Sequence, residues 1–250
     1  MAKILIAGES WMTTSTHIKG VDEFSVHSYV EGVGPLKNAL EAQGHQVVHM
    51  PAHVVPTGFP GTAEQLNEYD AIVLSDIGAN SIQLAPDVFE RFIPGQDRLA
   101  ALAKWTKNGG ALVMIGGYLS FSGFQARAAF RNTAIAEILP VEMLPEDDRW
   151  ELPEGLTAQV EQPEHKVLGT AGTEWPLLLG YNRTILKPDA ELVASINGDP
   201  LIALSETGNG RSAVFTSDCS PHWAPKEFCE EWPGYAQIFS GIIDWVTKKI

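Results

Sequence analysis

Three groups of residues in this chain have the types and spacing to do chemistry. The first is Gly116-Gly117-Tyr118-Leu119-Ser120, directly after the apolar run Ala111–Ile115. A buried strand ending in a glycine-bracketed turn is where α/β hydrolytic folds present a nucleophile, because small neighbours relieve crowding at a strained bend. The central slot here holds Tyr118, so the scaffold of acyl transfer comes without its cysteine or serine. The second group is Asp218 and His222, delivered by the strand-like run Arg211–Thr216 and a loop stiffened by Pro221. A histidine with an ordinary pKa of about 6.5 can act as general acid or base, and Asp218 can orient its ring. The plain structural alternative is that Asp218 caps a turn and His222 is a hydrogen-bonded structural residue. The third group follows the first and third strand-like segments: Glu9 and Ser10, then Asp76 and Gly78. Glu9 is a candidate acid or base. Gly78 lies where backbone N–H groups form oxyanion holes, yet Asp76 adds negative charge where an oxyanion would develop.

Other residues fill out the candidate site. Trp11, Tyr118 and Trp223, with Trp175 as a further candidate, sit on segments expected at one edge, and aromatic walls with a few polar anchors are common in ligand pockets. Gly117, Ser120 and Ser122 flank the turn. Their hydroxyls can donate to a ligand or cap a following helix. Cys219 reads as a small buried cysteine, since nothing marks it as a thiolate. His45, His49 and His53 are four apart, but Val47-Val48 reads as strand and Pro51 and Pro56 exclude a continuous helix, so no metal site is expected. Gly32-x-Gly34 before Pro35 is a loop entering a helix rather than a phosphate cradle. No cofactor is expected.

The elements that would hold these groups follow a β-α-β-α alternation. Strands are expected at Lys3–Ala7, Gln46–Met50, Tyr69–Ser75 and Ala111–Ile115, with helices over 35–43 and 97–107. Such an order makes a parallel, doubly wound sheet with ligands at the carboxyl ends of its strands. A helix is expected over 126–138, then an acidic loop over 145–153. Asn197-Gly198 and Gly208-Asn209-Gly210 separate three strands, an antiparallel continuation, and residues 235–246 return to helix. No repeat or linker interrupts the chain, and residues 1–250 read as one domain.

Composition narrows the partners. The formal net charge of −14 opposes nucleic acid, which needs a basic footprint, and anionic membrane surfaces. No stretch reaches the roughly 18 apolar residues of a membrane span. Two cysteines, Cys219 and Cys229, without a C-x-x-C spacing fit a reducing cytoplasm. A small-molecule ligand is the expected partner, and a homo-oligomer is left open.

The Gly-Gly-bracketed elbow and the late strand followed by His222 resemble the class I glutamine amidotransferase-like superfamily. Within it the chain looks most like the branch of unknown activity related to the ThuA-like trehalose-utilisation proteins. The segments Asp22–Phe24, Tyr29–Gly32, Leu74–Asn80, Ile138–Val141 and Asp218–Trp223 carry the likeness. It implies a flavodoxin-like three-layer α/β/α sandwich with a mostly parallel sheet and an antiparallel C-terminal extension. It also implies a pocket formed by the elbow, the loop after the third strand and the His222 loop. Working members use a cysteine at the elbow and a His-x-Glu pair; here Tyr118 and Ala224 stand in those positions. Ionising a phenol at pH 7 costs about 4 kcal/mol against about 2 for a thiol, and the phenol oxygen lies a ring's length further out. Ordinary glutaminase chemistry is therefore not expected. Two readings stand ahead of it: a binding protein that kept the pocket, and a hydrolase-type enzyme using His222 with Glu9 or Asp218 on a small polar or carbohydrate-like substrate.

Overall fold

Uninterrupted apolar strands need cover on both faces, and the chain supplies it. The computed structural model describes residues 1–250. The first strand, β1 (Lys3–Gly8), places Ile4 and Ile6 on one face and Leu5 and Ala7 on the other, all fully buried. A hairpin follows, β2 (Ser10–Lys19) and β3 (Asp22–Glu31), then α1 (Gly34–Ala42) and β4 (Gln46–Met50). The short helices α2 (Val55–Gly58) and α3 (Ala63–Leu66) lead to β5 (Ala71–Ser75). Next come α4 (Ala79–Gln83), α5 (Pro86–Phe89), α6 (Arg98–Lys107) and β6 (Ala111–Ile115). The remaining elements are α7 (Ile135–Ile138), β7 (Val141–Met143), β8 (Arg149–Leu156), β9 (Ala158–Val160), β10 (Leu178–Asn182), β11 (Thr184–Leu186), β12 (Glu191–Ile196), β13 (Asp199–Thr207), β14 (Gly210–Phe215) and α8 (Gly234–Val246).

Eight strands form the central sheet in the order β4-β1-β5-β6-β14-β13-β12-β9. The five from β4 to β14 are parallel, while β13, β12 and β9 continue the sheet antiparallel. One face, with Ile4, Ile6, Val73 and Val113, packs against Leu36 and Leu40 of α1 and Ile238, Phe239 and Ile242 of α8. The opposite face, with Leu5, Ile72, Leu74 and Met114, packs against Leu99, Leu102 and Ala103 of α6. This is the flavodoxin-like three-layer sandwich, with the antiparallel extension at its C-terminal side. The carboxyl ends of β1, β5, β6 and β14 lie side by side, and each delivers part of the site.

Three local expectations are corrected. The helix expected over 126–138 is broken into 3-10 turns at Phe124–Ala126 and Phe130–Asn132 before α7 begins. Gln125, Ala126 and Ala129 all have positive φ, which an α-helix of L-residues does not accommodate. The chain bends there so that Ala128 and Phe130 can both be buried. The acidic loop over 145–153 ends early, because β8 begins at Arg149 and runs through Pro153. Pro153 falls in the stretch where the β8–β10 register shifts, where no ladder bond is lost. The hairpin β2–β3 was not anticipated. Its ten cross-strand pairs run without a bulge from Ser10↔Glu31 to Lys19↔Asp22, and no segment covers its length, so it lacks the half-buried alternation that betrays a strand.

Candidate functional site at the carboxyl edge of the sheet

Close approach of two strand ends makes the elbow. Gly116 donates its N–H to Phe215 O at 2.8 Å and to Ser217 O at 3.0 Å, tying the end of β6 to the end of β14. A β-carbon on Gly116 would sit 2.1 Å from Thr216 O, so only glycine fits. Gly117, at φ +144°, donates to the side chain of Asn182 at 2.9 Å. Asn182 is held in turn by the buried Asp148, which also accepts the N–H groups of Ser122 and Gly123. The elbow is thus fixed from below by an amide–carboxylate pair that nothing in the local sequence pattern marks.

Tyr118 stands on this turn and faces His222. The two rings meet edge to face with centroids 4.6 Å apart, inside the range of favourable aromatic geometry. Tyr118 does not carry the strained backbone expected at the centre of an elbow. The positive φ angles belong instead to Glu9 (49°) and Asp76 (42°), the residues that leave β1 and β5. Strain at two neighbouring acids of one cleft is a mark of a functional site. The Tyr118 hydroxyl donates to Glu151 Oε1 at 2.8 Å, and Trp223 Nε1 donates to the same oxygen at 3.0 Å. Burial and this hydrogen bond raise the phenol above its ordinary pKa, so it is a poorer nucleophile than a free tyrosine.

His222 and Asp218 form the expected pair, with Nδ1 and Oδ2 3.1 Å apart. Burial alone lowers the imidazole pKa, but the hydrogen bond and charge of Asp218, with Asp76 and Glu151 behind it, raise it above the ordinary value. Asp218 thus contacts the imidazole directly, while Ala224 has no carboxylate to offer it. Ala224 itself is fully buried in the core and does not line the pocket.

Glu9 is the most unusual group of the site. It is 1% exposed. Ser75 donates to its Oε2 at 2.6 Å and Ser220 to its Oε1 at 2.7 Å. Burial, then the charges of Asp218 and Asp76, outweigh these bonds and push its pKa up to about 8. Gly32 packs on this carboxyl, where a β-carbon would lie 2.6 Å from Oε1, while Gly34 meets nothing within 4 Å. Cys219 lies beneath, fully buried, its thiol raised well above the ordinary value by burial and by Glu9 and Asp218. Glu9, Asp218 and Cys219 place ligand atoms within 4.8 Å of one another. With the carboxyl and thiol both favouring protons, that trio is a hydrogen-bonded cluster and a poor cation cage.

Asp76 occupies the decisive position. Its Oδ1 accepts the Leu119 N–H at 2.7 Å, and the missing side chain of Gly117 makes room, since a β-carbon there would lie 2.8 Å from the same oxygen. Burial, with Asp218 nearby, raises Asp76 to about 6. Both elbow amides are therefore engaged: Gly117 by Asn182, and Leu119 by a carboxylate. An oxyanion forming there would have to displace Asp76 from the Leu119 N–H and would face its negative charge.

A pocket of about 450 Å³ opens over these groups. Of the residues singled out in the sequence, Glu9, Trp11, Asp76, Tyr118, Asp218 and His222 lie in its wall. Leu119, Phe124, Arg127, Ser220 and Pro221 join them. Arg127 was hidden in the segment read as a helix, Phe124 lies just before it, and Ser220 lies between two residues already singled out. Five expected ligand contacts are instead spent inside the fold and are absent from the pocket wall. Ser10 accepts the Ala52 N–H. Ser120 is buried, donates to Ile115 O and accepts from Asp76 N–H; the 3-10 turn that follows has Gly123 as its N-cap, so neither Ser120 nor Ser122 caps it. Gly78 is the N-cap of α4 against Ala128, Gly117 is bound to Asn182, and Trp223 is buried behind Tyr118. Trp175 packs on Trp232 in the core, away from the edge. The three spaced histidines separate: His45 meets Ser240, His49 meets Gly8 O and His53 meets Tyr29.

A family model described as "Putative glutamine amidotransferase" matches residues 3–248. The chain belongs to the glutamine amidotransferase-like family. Its solved relatives include Cytoplasmic Protein STM1381 from Salmonella typhimurium LT2, 44% identical, with 98% of this chain and 99% of that chain covered and a TM-score of 0.93. Cytoplasmic Protein STM3548 from Salmonella typhimurium is 42% identical, with 97% and 98% covered and a TM-score of 0.93. A ThuA-like protein from Bacteroides uniformis shares the fold, at 13% identity, 96% and 90% coverage and a TM-score of 0.58. No curated protein matches the chain. No helix of this amidotransferase-like protein is long and apolar enough to cross a membrane. Its elbow, unlike the cysteine-bearing one that the sequence resemblance implies, carries Tyr118.

Proposed function

We propose that this amidotransferase-like protein binds a small polar, hydroxyl-bearing molecule in the Tyr118–His222 pocket and performs no cysteine-dependent glutaminase chemistry. The observation that carries the reading is the 2.7 Å hydrogen bond from Leu119 N–H to Asp76 Oδ1. It fills with negative charge the place where acyl transfer needs free donors. The side chains that remain suit binding. Trp11, Tyr118 and Phe124 offer apolar faces, while Glu9, Asp76, Asp218, Ser220, His222 and Arg127 offer acceptors and donors for hydroxyl groups. Residues 1–250 act as one domain in this reading, and the cytoplasm is its setting.

A second reading rests on one specific feature, the His222–Asp218 pair beside a carboxyl that keeps its proton to about pH 8. A protonated acid near an ionised one is the arrangement that splits acid and base roles in hydrolases. On a carbohydrate-like substrate, Glu9 would donate and His222 or Asp218 would accept a proton.

Native mass spectrometry of the purified protein, followed by thermal shift with the released compound, separates the two. The binding reading expects a retained small molecule that raises the melting temperature and is recovered unchanged after long incubation. Ligand at about 100 times its Kd adds about 2.7 kcal/mol. Trp11→Ala should weaken that shift at least tenfold in ligand concentration. Conversion of the compound to product, lost in His222→Ala, would favour the hydrolase reading. A ligand held elsewhere, with Trp11→Ala and His222→Ala both without effect, would defeat both.

A further inference from the structure

The β2–β3 hairpin stands apart from the sandwich as a free ribbon. After Ser10 every residue from Trp11 to Glu31 is exposed, and beyond the base, where Tyr29 meets His53 and Glu31 meets His49, no other element packs extensively along either strand. An isolated two-stranded ribbon is marginally stable in water, yet this one holds ten uninterrupted pairs. At about 3.3 Å per residue each strand extends roughly 30 Å, long enough to lie across a neighbouring molecule.

Its surface chemistry says what kind of neighbour. Paired residues share a face, so Trp11 and Val30, Ser15 and Val26, and His17 and Phe24 form one side. That side carries an apolar stripe that starts at Trp11 in the pocket wall and runs outward to Phe24. The other side carries Met12 with Tyr29, and Ile18. Val21 at the tip is fully exposed, Ile18 is 71% exposed and Met12 69%. Counted over both sides and the tip, the large apolar residues leave on the order of 800 Å² uncovered, of which the side with Trp11, Val30, Val26 and Phe24 holds somewhat under half. With Thr13, Ser15, His17 and Ser28 between them, that side of a ribbon about 30 Å long presents on the order of what each partner contributes to a standard interface. Between Trp11 and Ile18, and between Phe24 and Val30, there is no Lys, Arg, Asp or Glu. Two copies of a chain with net charge −14 repel except where they meet through uncharged surface, and the ribbon supplies such a surface.

We propose that the β2–β3 ribbon is a dimerisation arm that packs its Trp11–Val26–Phe24 face against the same face of a second copy of this chain. A self-complementary patch of this kind closes around a two-fold axis. Because Trp11 belongs to both the stripe and the pocket wall, the partner's ribbon also roofs the pocket mouth.

Sedimentation equilibrium across micromolar concentrations tests this. The wild type is expected at about 54 kDa, twice its 27.2 kDa mass. Phe24→Glu with Val26→Glu is expected at the monomer mass, with a Kd raised at least a hundredfold. A second variant replaces residues 13–28 by Asn-Gly, which closes the turn between the paired Met12 and Tyr29 and should likewise be monomeric. Both should keep the wild-type far-ultraviolet signature of the sandwich, which shows that dissociation is not unfolding. A monomeric wild type, or a dimer that survives both variants, would overturn the proposal, and an arm that captures only a different protein falls under the first outcome.

Discussion

Raising the pH from about 5 to about 9 is expected to lower the unfolding free energy by several kcal/mol, and Glu9→Gln to remove the larger part of that fall. The sign follows from the direction of each shift. Glu9 has an ordinary value of 4.5 and a folded value of about 8. Between those pH values the folded state holds a proton that the unfolded chain has shed. Stability therefore falls as pH rises, by about 1.4 kcal/mol per unit for each such group. Asp76 and Asp148, both raised from 3.8 to about 6 by burial, act in the same direction at lower pH. His222, raised by Asp218, contributes stability that is complete below its ordinary value of 6.5 and is lost as pH rises through its folded value. Groups held below their ordinary values oppose them, His45 and Asp147 among them. Burial lowers His45, whose contribution is lost as pH falls below its ordinary 6.5. Asp147, held at about 2 by Arg149, loses its contribution only below its ordinary 3.8. The stability maximum should thus lie on the mildly acid side of neutrality. Glutamine keeps the shape of a protonated Glu9 and cannot ionise, so the variant should lose on the order of 3–5 kcal/mol of the alkaline destabilisation. That is roughly 10 °C in melting temperature for a chain of this size. Urea melts of both proteins at four or five pH values would read it. Parallel profiles for wild type and Glu9→Gln would show that Glu9 is ionised in the folded protein.

Gly116→Ala should be among the most damaging single methyls at the chain's functional edge, costing at least about 3 kcal/mol. Its β-carbon would lie 2.1 Å from Thr216 O and 2.7 Å from Ser217 O, which are backbone atoms at the end of β14. Neither can rotate away. The strands would have to part, breaking the two hydrogen bonds that Gly116 makes and shifting Asp218 two residues on. Gly34→Ala is the matched control, since nothing lies within 4 Å of its β-carbon at the start of α1; it should be neutral or slightly stabilising. Chemical denaturation of the pair checks this, and equal midpoints would mean that β6 and β14 do not meet as closely as described.

These two sites also show what the sequence could tell. Gly116 and Gly117 were legible because a steric need for glycine leaves a visible mark, and apolar runs such as Ala111–Ile115 announce strands covered on both faces. The pairing of His222 with Asp218 was legible from four-residue spacing on a proline-bearing loop. Asp148 was not, because its role is set by Asn182, 34 residues away, and by two loop amides that any sequence would supply. Ser120 and Ser10 misled because a hydroxyl beside a site reads the same whether it meets a ligand or a backbone group. The 126–138 segment misled because helix propensity there yields to the burial of Ala128 and Phe130. The hairpin escaped because its strands have no buried face within the chain to impose a pattern.

In the proposed reading the elbow keeps its shape and its histidine while Asp76 closes it to acyl transfer. Ammonia release from glutamine measures this most directly, with wild type and His222→Ala assayed side by side over hours at high protein concentration. The account predicts no ammonia above the protein-free blank from either. Release by the wild type that disappears in His222→Ala would contradict it, since the elbow would then be stabilising an oxyanion despite the carboxylate on Leu119 N–H.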